Sequence, residues 1–204
     1  MQNRQKRRFD CFIREVGDKS ELFKLILNLE ISQPQNYFLS PSHPKKKAQP
    51  VTMKYLSTSP SQTRKIGQNL AKKFSKLFKK KALIIGLEGD LGGGKTTFLK
   101  GFAKGLKIRK KILSPTFVVM KKFRITKDAK KIAPQFRYFY HIDCYRIKKT
   151  KEILALGVGE IISDPQNIVI IEWADRIKGI LPKDRISIKF QFINKNTRKI
   201  AIDF

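Results

Sequence analysis

Eight consecutive residues, Gly89-Asp90-Leu91-Gly92-Gly93-Gly94-Lys95-Thr96, have the types and spacing needed to hold a chain of phosphates. They satisfy the pattern G-x-x-x-x-G-K-[ST] in full. Gly92, Gly93 and Gly94 carry no Cβ, so the backbone there can curl through positive φ and aim successive N–H groups inward. A helix opening at the loop adds its unpaired N–H groups and the positive end of its dipole. In that setting Lys95 would reach the β- and γ-phosphates and the Thr96 hydroxyl would ligate Mg2+. A plain glycine turn does not account for strand, loop, Lys-Thr pair and helix occurring together. Asp90 is unusual company for phosphates and is expected to bond the loop backbone.

Phosphoryl chemistry also needs a carboxylate to help hold Mg2+ or orient water, and in such proteins that group ends a buried strand. Ile168 to Ile171 is a continuous apolar run of the kind buried on both faces, and it delivers Glu172 at its C-terminal end. Asp143 is the second candidate, placed between an aromatic strand and a basic turn where it could sense metal or γ-phosphate. It reads equally as a turn residue capping the next segment. His141 suggests a metal pair with Asp143, but no third ligand stands nearby, which argues against structural zinc. Trp173, beside Glu172, reads on its chemistry alone as a core anchor. Thr116, in Ser114-Pro115-Thr116, is either a switch threonine or a simple strand entry.

Regular elements must position these groups. A helix capped by Ser61 or Thr63 and running to about Phe78 presents Ile66, Leu70, Phe74 and Leu77 on one face. The strand Ala82 to Leu87 precedes the loop. Phe117 to Phe123 and Phe136 to Ile142 are expected to pair antiparallel. Short helices follow at Lys151 to Gly157 and Gly159 to Ser163. Alternating apolar residues over Arg185 to Ile193 and Lys199 to Phe204 flank a turn at Asn194 to Thr197, which predicts a C-terminal hairpin. Residues 1–58 read as an extension, partly linker: SQPQNYFLSPSHPKKKAQP is rich in Pro, Ser, Gln and Lys. Met53, just past it, is a candidate alternative start. The predicted organisation is an extension over 1–58 and one phosphate-loop domain over 59–204.

The 204 residues suffice for one domain with a core, and 41% hydrophobic with 30% charged content fits a soluble globular protein. No apolar run is long enough to span a membrane, and the basic N-terminus lacks the apolar stretch of a secretory signal. Cys11 and Cys144 show no metal spacing and read as reduced thiols in a cytoplasmic protein. The net charge of +29 is spread through the chain, since residues 1–61 hold eleven basic and five acidic residues. Such a field favours polyanions, with binding that weakens in salt. A lysine-rich composition with solvated faces explains it as well, because no aromatic-and-basic RNA motif interrupts the lysines.

The runs GDLGGGKTTFLKG, SPTF, HIDCYRI, LGVGEII and IIEWADRI occur in that order, and together they resemble the bacterial TsaE (YjeE) family of P-loop ATPases. The resemblance covers about residues 57–204. It implies a role in N6-threonylcarbamoyladenosine modification of tRNA, with ATP and Mg2+ as cofactors and the TsaB–TsaD heterodimer as partner, whose complex ATP hydrolysis resets. It further implies that Lys95 and Thr96 contact phosphate and Mg2+, that Thr97 supports the α-phosphate side, that Asp143 and Glu172 are essential to hydrolysis, and that Trp173 is a functional position. Gly93 stands where the family commonly has Ala, and Cys144 where Leu is usual. The expected fold is an α/β P-loop NTPase-like three-layer domain with a mostly parallel central sheet and an antiparallel C-terminal hairpin. A small P-loop kinase and a basic RNA-binding nucleotide switch are the rival functions; no arginine-rich lid supports the first.

Overall fold

Apolar runs too short for helices, alternating with amphipathic segments, assemble a single sheet with helices on both faces. The computed structural model describes residues 52–204 apart from 78, 79, 111, 113–118, 127, 129 and 130. Thr116 therefore lies outside the described residues, as does all of 1–51. Seven strands stand in the order β1-β7-β6-β2-β5-β4-β3. They are β1 Thr52–Ser57, β2 Leu83–Gly89, β3 Met120–Arg124, β4 Tyr138–Asp143, β5 Asn167–Glu172, β6 Ile186–Phe192 and β7 Arg198–Asp203. The four central strands β6, β2, β5 and β4 run parallel. β7 and β3 run against them, and β1 against β7. This is the expected three-layer architecture, with the hairpin β6–β7 where the alternation predicts it.

The sequence pattern explains the layers. β2 from Leu83 to Leu87 and β5 from Ile168 to Ile171 are apolar because both faces are covered, and all six residues of β5 are buried. Helix α1 (Pro60–Leu77) and helix α2 (Lys95–Gly105) pack together on one side of the sheet. Short α3 (Thr150–Leu154), α4 (Val158–Ser163) and a 3-10 segment at Ala174–Ile180 cover the other. There Ile153, Val158, Ala174 and Ile177 meet Ile84, Ile142, Val169 and Ile171. β3 and β4 pair antiparallel, from Met120 opposite Ile142 to Arg124 opposite Tyr138.

At the start of the domain two boundaries differ from the sequence reading, and the first short helix ends at Leu154 rather than Gly157. α1 begins at Pro60, not at a cap on Ser61 or Thr63: the Ser59 hydroxyl accepts the Gln62 N–H at 3.1 Å. Gln62 Oε1 in turn accepts the Thr58 N–H at 2.7 Å. A Ser-Pro-x-Gln start with proline in the first turn is a strong capping arrangement. Thr63 is instead buried against Ser57, their hydroxyl oxygens 2.7 Å apart. Thr52–Ser57, which the sequence reading places in the extension, is the edge strand of the sheet, paired with β7.

α1 and α2 touch through glycines. A Cβ at Gly101 would lie 2.1 Å from the Arg64 carbonyl oxygen, and one at Gly67 would lie 2.4 Å from that of Phe98. Both obstacles are backbone, so no rotamer change relieves them. Alanine gains about 1 kcal/mol of helix propensity over glycine, but overpacking costs about 1–3 kcal/mol and sometimes more. With both obstacles in backbone the net loss is expected at about 1–2 kcal/mol, so Gly101→Ala should lower Tm by roughly 2–8 °C, at about 2–4 °C per kcal/mol in a domain of this size. A thermal melt with unchanged Tm would contradict the close crossing.

Candidate active site

The loop between β2 and α2 is shaped by three left-handed glycines. φ is 118° at Gly89, 72° at Gly92 and 102° at Gly94, and Gly94 is the N-cap of α2. Gly93, expected to share that conformation, does not take it; Gly89 does instead. Gly89 is doubly constrained, since a Cβ there would sit 2.1 Å from the Phe190 carbonyl oxygen. The Gly93 N–H donates to the Asp90 carbonyl at 3.0 Å, and a Cβ at Gly93 would approach that same oxygen to 2.9 Å. The position is thus tight, and an alanine there would need the backbone of the turn to shift.

Lys95 opens α2 and folds back over the loop. Its Nζ donates to the carbonyl of Gly89 at 2.5 Å and of Asp90 at 2.7 Å. It also lies 3.8 Å from the centroid of the Trp173 ring. Only 5% of the residue is exposed. Burial lowers its pKa, opposed in decreasing order by the charges of Glu172, Asp90, Asp175 and Asp143. Asp90 enters the loop's bonding through its backbone carbonyl while the residue itself is exposed.

The two acidic candidates converge. Asp143 and Glu172 are paired residues at the ends of parallel β4 and β5, and Leu87 of β2 is in register with Glu172. Alternation puts His141, Asp143 and Glu172 on one face of the sheet. Thr96 Oγ1 donates to Glu172 Oε2 at 2.7 Å, and His141 Nε2 lies 2.9 Å from Glu172 Oε1. Glu172 is 2% exposed and His141 is fully buried. Asp143 also makes the turn bond considered for it, its Oδ1 accepting the Tyr145 N–H at 3.0 Å. Trp173 takes φ 59° directly after Glu172, so the chain swings its ring over Lys95 and beside Tyr145, centroids 5.1 Å apart. It also packs against the core; anchor and site residue coincide. Thr97 follows in the first turn of α2, half-buried.

Sequence reasoning missed two groups. Arg198, at the start of β7, donates Nε to the Gly92 carbonyl at 3.0 Å and Nη1 to the Thr197 carbonyl at 2.9 Å, bracing the outside of the loop. Nothing local marks it; hairpin register alone brings it there. His141 was weighed only as a metal partner of Asp143, whereas its bond goes to Glu172. The i, i+2 spacing to an acidic strand end was the available signal.

The Thr96 hydroxyl and the Glu172 carboxylate, bonded to each other, are oxygen donors of the kind suited to Mg2+, which commonly takes a few protein oxygens and completes its shell with phosphate and water. Among the described residues, no group of three or more His, Cys, Asp and Glu is arranged to hold a metal unaided. Next to Asp143, Cys144 is fully buried, its thiol pushed up to about 12 by burial first and by Asp143 second. It should stay a protonated, inert thiol at neutral pH. Alkylation of the native protein followed by peptide mass mapping is expected to leave Cys144 unmodified until denaturant is added.

A family model described as "Threonylcarbamoyl adenosine biosynthesis protein TsaE" matches residues 57–200. The chain is 35% identical over 149 residues to the tRNA threonylcarbamoyladenosine biosynthesis protein TsaE of Bacillus subtilis (strain 168), covering 73% of this chain and 84% of that protein. It is 33% identical over 141 residues to the protein of the same name from Rickettsia prowazekii (strain Madrid E), covering 69% and 90%. The crystal structure of Bacillus subtilis YdiB is similar with a TM-score of 0.59 and 29% identity, covering 77% of this chain and 88% of that one.

Proposed function

The chain belongs to the TsaE family of threonylcarbamoyl adenosine biosynthesis proteins, and from that premise we propose that it binds and hydrolyses ATP in N6-threonylcarbamoyladenosine modification of tRNA, acting in the cytoplasm with the TsaB–TsaD heterodimer. The observation that carries this is the bond from the Thr96 hydroxyl to the Glu172 carboxylate at the foot of a glycine loop. It joins the phosphate end of one element to a carboxylate 76 residues away in sequence.

Lys95, Asp143 and Glu172 are the catalytic groups of this proposal. Amides of Gly92, Gly93, Gly94, Lys95 and Thr96 cradle the phosphates, with Thr97 on the α-phosphate side. Lys95 exchanges the carbonyls of Gly89 and Asp90 for β- and γ-phosphate oxygens, a move its flexible stem permits. Thr96 and Glu172 hold Mg2+, which when bound neutralises charge on those oxygens. Asp143, at the mouth of the next strand, orients the attacking water. Trp173 lines the nucleotide side and reports on Lys95 through their contact. Catalysis so arranged is positioning and charge neutralisation.

The isolated chain is expected to turn over slowly. Arg198 holds the loop's outer carbonyl, and Arg176 lies against Tyr145 and Trp173, so neither is set as a phosphate-facing cation. The test is phosphate release from ATP and Mg2+, with and without the TsaB–TsaD heterodimer and tRNA. Release that rises with the heterodimer supports the proposal. An equal rate and equal nucleotide affinity in both cases defeat the partnership, and a phosphorylated acceptor in place of free phosphate makes the protein a kinase.

A further inference from the structure

We propose that His141 is a positioning residue that fixes the rotamer of Glu172, holding one carboxylate oxygen so that the other is presented to Thr96 and to a cation at the foot of the loop. This rests on the ATP-site reading above. A glutamate reaches its carboxylate through three rotatable bonds, and Glu172, 2% exposed, has no water shell to satisfy or hold it. A buried carboxylate needs a partner on each oxygen. Glu172 has Thr96 on Oε2 at 2.7 Å and His141 on Oε1 at 2.9 Å.

The histidine is arranged for that one contact. It is fully buried, and its Nδ1 has no hydrogen-bond partner among the described residues. Among those residues its single side-chain hydrogen bond goes to the carboxylate. With an acceptor-only carboxylate opposite, Nε2 carries the donated proton. Strand geometry supports the assignment. His141 is in register with Ile170, and Asp143 with Glu172, so the imidazole leans forward along β4 toward the end of β5. A ligand that draws the Thr96 hydroxyl away leaves His141 as the group still holding Glu172. Outer partners of metal ligands typically contribute 10–100-fold to metal affinity.

Two substitutions of similar size separate positioning from packing. In His141→Gln the side-chain amide nitrogen can reach the place of Nε2; in His141→Asn it falls near Nδ1, out of reach of Glu172. The readout is binding of a non-hydrolysable ATP analogue, followed by the fluorescence of Trp173, the only tryptophan in the chain. His141→Asn should raise the Mg2+ concentration for half-maximal binding about 10–100-fold. His141→Gln should restore most of it, and binding without Mg2+ should be the same in both variants and the unaltered protein. A folded His141→Asn with unaltered Mg2+ dependence overturns the proposal. Nitrogen NMR of the unaltered protein is the second measurement, independent of any variant's folding. A proton on Nε2 whose resonance moves in Glu172→Gln is expected, and a proton on Nδ1 alone overturns the assignment. If the unaltered protein binds the analogue without regard to Mg2+, the ATP-site reading fails; if it responds to Mg2+ and His141→Asn responds equally, only the role of His141 fails.

Discussion

Lys95→Ala is expected to lower the rate of ATP hydrolysis by about 100–1,000-fold, the usual cost of deleting a preorganised group at developing charge. Lys95 is 5% exposed, and its ammonium is held by the Gly89 and Asp90 carbonyls over the Trp173 ring. Its burial is unfavourable in itself and is offset by Glu172, Asp90, Asp175 and Asp143. Without it those carboxylates face an incoming triphosphate with no cation of the protein between them, so binding and chemistry both suffer. Removing the cation also leaves the Gly89 and Asp90 carbonyls without their donor and buried Glu172 without its compensation, which costs the folded domain stability of its own. The melt of Lys95→Ala without nucleotide is the control.

A pH dependence follows from the same burial. The Lys95 pKa lies below the ordinary 10.5 in the free protein, and bound phosphates favour its charged form. Nucleotide binding then takes up a proton in the window between the lowered value and the raised one. Affinity should be full below that window and fall as pH rises through it. Titrating Trp173 fluorescence against pH checks the direction, and Lys95→Ala should flatten the profile.

Glu172→Gln is expected to stop multiple-turnover formation of modified tRNA in the presence of the partner heterodimer and to reduce hydrolysis by more than about 100-fold, since a group that itself holds the metal should cost more than the 10–100-fold typical of an outer partner. The change is isosteric, so packing at the end of β5 is kept. An amide can still accept from His141 with its oxygen and turn its NH2 toward the Thr96 oxygen, so the buried hydrogen bonds survive. What is lost is the negative charge beside Thr96. Nucleotide should still bind through the loop amides, with its Mg2+ dependence reduced. Retained turnover in a folded Glu172→Gln would move the metal-side role to Asp143.

Much of this was legible because the responsible physics is local. Gly92 and Gly94 could be read as left-handed from a loop that must curl between a strand and a helix. Ile168 to Ile171 could be read as a central strand because an unbroken apolar run of that length requires cover on both faces, and its end then had to carry Glu172. The antiparallel pairing of Met120–Arg124 with Tyr138–Asp143 and the C-terminal hairpin followed from alternation. The start of α1 was misplaced by two residues although Ser59-Pro60-Ser61-Gln62 states it, and β1 was read as extension because an edge strand bordered by a polar stretch has little pattern of its own.

The amino-acid sequence by itself determined the family, through short runs spread along residues 57–200, and singled out the glycine loop, Asp143 and Glu172 as candidates, since each of those signals depends on residue types within a few positions of one another. Only the tertiary structure decided that Asp143 and Glu172 end side by side, that His141 grips Glu172, that Trp173 lies over Lys95 and that Arg198 braces Gly92. Those contacts join strands 29 to 106 residues apart, and strand order and register, which set them, arise from how the whole sheet buries its two faces.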